Sequence, residues 1–166
     1  MRLRLQQGES GLAAWSLRGA ARDGDLDGLP TEVSEREPPA PGKHPLGASK
    51  VDHLVVMTPE LERTVDALRN AGLDLRRVRE PDEPGPPLRQ AFVRAGEAIV
   101  EVVESEELDE GPARFWGITF RVADIDRAAE AAGEGLGTIR DAVQPGRRIA
   151  TARREAGLGL PVALID

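Results

Sequence analysis

The sequence predicts an α+β fold, with two βαβββ modules in tandem behind a short amino-terminal β-hairpin. Three observations carry this. The chain has 166 residues, which suits one domain or two very small ones fused, because domains cluster near ~100 to 150 residues. Short apolar runs bounded by turn residues recur over residues 51–104 and again over 115–166, each set with one helical pattern after its first strand. The two strand-to-helix junctions also match: laying 53–61 over 117–125 aligns His53 with Gly117, keeps the apolar outer positions in register, and sets Glu60-Leu61 on Asp124-Ile125. A four-stranded sheet with one helix covers only one of its faces, so such a unit needs a partner, and a repeat supplies one.

Taken in order, residues 2–6 alternate Arg and Leu, 8–11 supply turn residues, and 12–17 are apolar around Trp15, which reads as a hairpin within residues 1–20. Residues 21–50 are rich in Pro and Gly and poor in apolar side chains, the composition of a linker or of a strap lying across another surface. The first module follows at 51–104. Residues 51–57 form a strand, Thr58 is the expected N-cap with Pro59 at the first helical position, and Leu61, Val65 and Leu68 recur at helical spacing until Gly72. Strands follow at 73–79, 90–94 and 98–104, with a break at 81–87 and a turn at 95–97. The acidic stretch 105–110 separates the second module, 115–166. There 115–122 is a strand, Asp124 caps a helix over 125–132 that Gly133 closes, and 138–143, 147–153 and 160–165 are strands.

Composition narrows the chemistry. With no cysteine, thiolate catalysis, disulfides and Cys-ligated metals are excluded, and any metal must sit on His, Asp or Glu. The net charge of -7 has no basic stripe within it, which argues against nucleic acid as a partner. No apolar run approaches the ~18 residues of a bilayer-spanning helix, and residues 1–7 lack the apolar core of a signal peptide. A soluble, cytoplasmic protein without membrane association is therefore expected.

The run Val51-Asp52-His53-Leu54-Val55-Val56 before a capped helix, then Gly96-Glu97-Ala98-Ile99-Val100-Glu101-Val102-Val103, then Trp116-Gly117-Ile118-Thr119-Phe120-Arg121-Val122-Ala123-Asp124-Ile125, resembles the vicinal oxygen chelate superfamily. Its members include glyoxalase I, extradiol dioxygenases, methylmalonyl-CoA epimerase and bleomycin resistance proteins. The resemblance covers residues 51–166 and implies paired modules whose sheets curl as half-barrels around a cup. In metal-binding members each module supplies a His or Gln from its first strand and a Glu from its last. Carried over, His53 and Glu101 are the first module's pair. The second module offers Gly117 and, depending on a one-residue gap, Ala163 or Leu164, none of which can coordinate. The resemblance also makes a homodimer plausible, and leaves open whether modules pair within a chain or between chains.

The residues themselves agree in part. On a strand His53 shares a face with Val55 and Met57, and Glu101 lies between Ile99 and Val103. A carboxylate buried in that company must find a partner or be neutralised, which suits it to moving protons beside His53. Two protein ligands fall short of the three usual in catalytic zinc sites, so the expected metal set is incomplete and no cofactor is anticipated. Residues 147–153 place Arg148 on one face and Arg147 and Arg153 on the other. An inward Arg148 beside Gln144 would select an anionic or polar ligand, while Arg147 and Arg153 read as surface residues. Trp116, with Phe115 and Trp15, forms either a pocket wall or core. His44, in the Pro-rich segment, reads as a loop residue.

The expected function is binding of a small organic ligand in the cup, for sequestration, sensing or a reaction carried by His53 and Glu101. One alternative is a metal-dependent lyase, isomerase or dioxygenase using Zn, Ni, Fe or Mn, its ligands completed by substrate, the amino-terminal strap or another subunit. The other is an interaction unit whose strap or Trp15 fills the cup.

Overall fold

The computed structural model describes residues 10–37, 40, 42–82, 88–106, 108 and 110–166. Three short strands come first: β1 (Trp15–Leu17), β2 (Gly24–Asp25) and β3 (Pro30–Val33). The first module follows as β4 (Ala48–Thr58), α1 (Leu61–Asn70), β5 (Asp74–Arg79), β6 (Gln90–Ala95) and β7 (Ala98–Glu104). The second is β8 (Arg114–Val122), α2 (Ile125–Ala132), β9 (Arg140–Asp141), β10 (Arg148–Thr151) and β11 (Val162–Ile165).

Eight of these strands make one curled sheet in the order β5-β6-β7-β4-β8-β11-β10-β9. Each module pairs its first strand parallel with its last, β4 with β7 and β8 with β11, and reaches it through antiparallel neighbours. The modules meet where β4 runs antiparallel to β8, so they pair within one chain. Side-chain alternation sorts the faces. Leu54 and Val56 of β4 and Val100 and Val102 of β7 pack with Leu61, Val65 and Leu68 of α1 in one core, and Val122, Leu164 and Ala150 pack with Ile125 and Ala128 of α2 in a smaller one. His53, Val55 and Met57 are left half-buried on the opposite, concave face. Among the described residues no helix is long and apolar enough to cross a membrane.

The helix starts repay comparison. Asp124 caps α2 as expected, accepting from the Arg127 N–H at 3.0 Å. Thr58 does not cap α1, because β4 runs through Thr58, whose carbonyl accepts from Ser105 N at 2.9 Å. The helix begins at Leu61, and its first N–H is taken by Glu104 Oε1, from the end of β7, at 2.9 Å. Thr58 turns the chain instead, accepting from Glu60 N at 3.1 Å. In the second module the outer strands are shorter than expected, β9 spanning only Arg140–Asp141 and β10 ending at Thr151 before a 3₁₀ turn at Arg154–Ala156.

The amino-terminal segment differs most. The first strand of the expected hairpin lies outside the described residues. Trp15–Leu17 pairs parallel with Pro30–Val33, which pairs antiparallel with Gly24–Asp25, so the stretch with linker composition supplies two strands of a small sheet. Its anchors are isolated: Leu26 and Leu29 are fully buried among turn residues, and Trp15 stacks edge-on against Phe115 with centroids 5.2 Å apart while its indole N–H bonds Thr31 Oγ1 at 2.6 Å. Asp27, at φ 55°, grips α1 through Arg63 Nε at 2.8 Å and Thr64 Oγ1 at 2.5 Å. Gly28 beside it has φ 84°, and a side chain there would collide with the Ala113 carbonyl. This sheet joins the core on the helix side. Trp15 and the described part of the strap therefore do not fill the cup, which corrects that alternative.

Candidate functional site

The concave face of the first module gathers its chemistry around Glu101. The register sets Glu101 between Val55 of β4 and Phe92 of β6. Its side chain is 21% exposed, and His53 Nε2 lies 3.8 Å from its Oε2. Gln90, on the same face, donates its amide N–H to Glu101 Oε1. Burial pushes the Glu101 carboxyl above the ordinary carboxylate range, opposed but not cancelled by the charges of His53 and of buried Arg79. A carboxyl in this setting holds a proton longer than a solvated one and is suited to give it up to a bound molecule.

Behind His53 stands a second carboxylate. Asp52 Oδ2 is 3.0 Å from His53 Nδ1, and Asp52 Oδ1 accepts from Arg147 Nη2 at 2.8 Å. Consecutive strand residues normally point to opposite faces. Here the β4–β8 register slips between Val51 and His53, leaving Asp52 as the extra residue of a bulge, a device that re-aims a side chain. Burial alone would raise the Asp52 carboxyl, but the hydrogen bonds from Arg147 and His53 outweigh it and hold the group below the ordinary range.

The structure exchanges the two arginines. Ala150 and Leu164 are paired and both sit in the α2 core, so Arg148, two residues before Ala150, takes the helix side. There it binds Asp126 of α2 at 2.9 Å and Asp166 Oδ2 at 2.8 Å. Arg147 occupies the other face, with Asp52. The expectation of an inward Arg148 and a surface Arg147 is corrected by this parity. Gln144 is exposed in the β9–β10 turn, where its carbonyl accepts from Arg147 N at 3.2 Å, and does not join Arg148. Trp116 is the extra residue at a second β4–β8 slip and stays 44% exposed, while Phe115 enters the core. His44 is exposed and shapes its own turn, accepting from Leu46 N at 3.2 Å.

Sequence reasoning placed His53 and Glu101 together and missed Asp52, Arg147, Gln90 and Arg79. Of these, only Gln90, a polar residue opening the alternating run Gln90-Ala91-Phe92-Val93, carried a signal in its pattern.

The sequence profile of the Glyoxalase/Bleomycin resistance protein/Dioxygenase superfamily matches residues 50–155. The chain belongs to this superfamily. Among solved structures, methylmalonyl-CoA epimerase from Mycobacterium tuberculosis is 18% identical with TM-score 0.57, over 72% of this chain and 88% of that one. Streptomyces coelicolor methylmalonyl-CoA epimerase in complex with 2-nitronate-propionyl-CoA is 21% identical with TM-score 0.54, over 71% and 96%. A hypothetical protein from Bacillus halodurans C-125 is 20% identical with TM-score 0.54, over 70% and 92%. These likenesses are of fold. No curated protein sequence matches the chain.

For a member of the glyoxalase superfamily the second module's contribution departs from the pattern. Val55 pairs with Glu101 in the first module, and its repeat counterpart Thr119 pairs with Ala163, so Ala163 rather than Leu164 stands in the place of Glu101. The counterpart of His53 is Gly117, where a Cβ would lie 2.9 Å from the Pro161 carbonyl oxygen and 3.2 Å from the Pro161 Cβ. The chain entering β11 thus closes the position to any coordinating side chain. Among the described residues no group of three or more His, Asp or Glu is placed to hold a metal ion, and Asp52, beside His53, is engaged by Arg147. The described residues thus supply His53 and Glu101 toward the superfamily's metal and no complete set of His, Asp or Glu donors.

Proposed function

We propose that this glyoxalase-superfamily chain binds a small, carbonyl-bearing organic molecule against the concave face of its first module, without a complete metal site. Glu101 and His53 are the groups that act on it. The observation that carries this reading is the half-buried Glu101 carboxyl, raised by burial, with a His53 nitrogen 3.8 Å away. When protonated, Glu101 can donate to a ligand oxygen. An unprotonated His53 nitrogen can accept a proton in return, so the pair can shift a proton next to a carbonyl when the ligand is reactive, or hold an unreactive one. Val55, Met57 and Phe92 supply apolar contact around the polar pair. The structural likeness to methylmalonyl-CoA epimerases supports a carbonyl ligand.

A second reading keeps a divalent Zn, Ni, Fe or Mn ion on His53 and Glu101, completed by substrate or another subunit, as a lyase, isomerase or dioxygenase. It is favoured only by the two donors facing each other from neighbouring strands. A thermal-shift screen of metals, small carboxylates, thiol adducts and aromatic diols, run on wild type and Glu101→Gln, tests both. The proposal expects an organic hit whose shift Glu101→Gln loses. Stoichiometric metal in the purified protein, lost in His53→Ala, would overturn it.

A further inference from the structure

We infer that Asp52 and Arg147 are positioning residues that fix the His53 imidazole as the tautomer protonated on Nδ1, so that an unprotonated Nε2 faces Glu101. This rests on the proposed use of His53 and Glu101, and it assigns the second module a part in that site. The two ring nitrogens address two different carboxyls, Nδ1 toward Asp52 at 3.0 Å and Nε2 toward Glu101 at 3.8 Å. A carboxylate only accepts, so the nitrogen held against an ion-paired Asp52 is the one that carries the hydrogen.

Asp52 is held in turn. Arg147 reaches it with Nη2 at 2.8 Å and Nη1 at 3.5 Å, a two-nitrogen grip that fixes the plane of the carboxylate. Its Nε donates to the Asp166 backbone carbonyl at 2.7 Å, which fixes the guanidinium as well. The order of dependence therefore runs from Arg147 in the second module, through the bulged Asp52, to the ring orientation of His53. Both the Asp52 and His53 side chains are 14% exposed, so little water competes for these contacts. A proton leaving Glu101 or the ligand for Nε2 forms an imidazolium whose Nδ1–H stays on Asp52, and the negative charge is left on the atom that gave the proton up. The second module, whose Gly117 and Ala163 cannot coordinate, acts through orientation.

Long-range proton–nitrogen NMR of the 15N-labelled full chain in mildly alkaline buffer reads this directly, with exposed His44 as the reference ring in the same spectrum. The expected result is His53 with its hydrogen on Nδ1 and an unprotonated Nε2. In Asp52→Ala the two nitrogen shifts should exchange toward the Nε2-protonated form, as in the reference ring. Arg147→Met should broaden or mix the two forms, and Arg147→Lys should restore part of the wild-type signature. An Nε2-protonated or doubly protonated His53 in wild type would overturn the inference. So would a signature unmoved by Asp52→Ala in a protein whose amide spectrum shows the fold retained. If Asp52→Ala fails to fold, the wild-type spectrum and Arg147→Lys decide. No ligand is needed, so a failed ligand screen leaves this result standing, and a wrong tautomer leaves the screen standing.

Discussion

Glu101 is the residue on which the chemistry and the stability of this chain pull in opposite directions. A carboxyl whose folded pKa is raised above its ordinary 4.5 binds more protons folded than unfolded, so stability is withdrawn as pH rises from that value through the folded one. Replacing it with Gln keeps the shape and an oxygen for Gln90 while removing the charge. Glu101→Gln is therefore expected to raise the melting temperature at neutral pH relative to wild type and to bring little gain near pH 4.5, as thermal melts across pH would show. Asp52 has the opposite sign: its folded pKa is depressed below the ordinary 3.8, so its contribution is full above that value and fades as pH falls through the folded one. Loss of this shielded contact in Asp52→Asn should cost about 1.5 to 3 kcal/mol near neutrality. In a double-mutant cycle with Arg147→Met the two losses should not add, because the residues share one interaction. His53 and Glu101 were legible in the sequence because the family resemblance carries its first-module donors onto them, and period-two alternation agrees by giving each apolar neighbours on its strand face. Arg147 was not, since β10 has only four residues, Arg148–Thr151, and its parity is set by which residue meets the α2 core. Asp52 was hidden because a bulge leaves no mark in an alternation pattern.

At the scale of elements, the long, periodic ones could be read and the short, anchored ones could not. α1, β6, β7 and α2 fall where apolar spacing puts them, because each buries a regular stripe. The amino-terminal sheet escapes because its strands run two to four residues and its burial rests on separate side chains, Trp15, Leu26 and Leu29, set among Gly and Pro. Leu29, at 0% exposure, is the cleanest test that this segment is part of the core. Leu29→Ala should cost about 2 to 5 kcal/mol in denaturant unfolding, whereas a tethered linker would give a change near zero. The start of α1 was misplaced for a related reason. Thr58 followed by Pro59 has the composition of a cap, but the parallel partner β7 extends β4 through Thr58 and supplies Glu104 to the helix's first N–H. Tertiary pairing overrode a local preference.

Across the whole molecule, the scaffold is two modules of the same strand order that present different residues at matching positions. The junction repeat seen in the sequence corresponds to real strand-to-helix units, and β4 and β8 lie side by side at the centre of the sheet. The first copy keeps an imidazole and a carboxylate on its concave face. The second fills the matching position with the backbone at Pro161 and reaches Asp52 through Arg147. Gly117→Ala tests that closure. With its Cβ 2.9 Å from a backbone oxygen, the variant should lose about 1 to 3 kcal/mol, and an unchanged melting temperature would mean the position has room for a side chain. The most direct measurement is the melting shift produced by an organic ligand from the screen in the presence of excess chelator, compared between wild type and Glu101→Gln. The account predicts a shift in wild type that the chelator leaves intact and Glu101→Gln abolishes. A shift that vanishes with chelator and returns with added metal would contradict it.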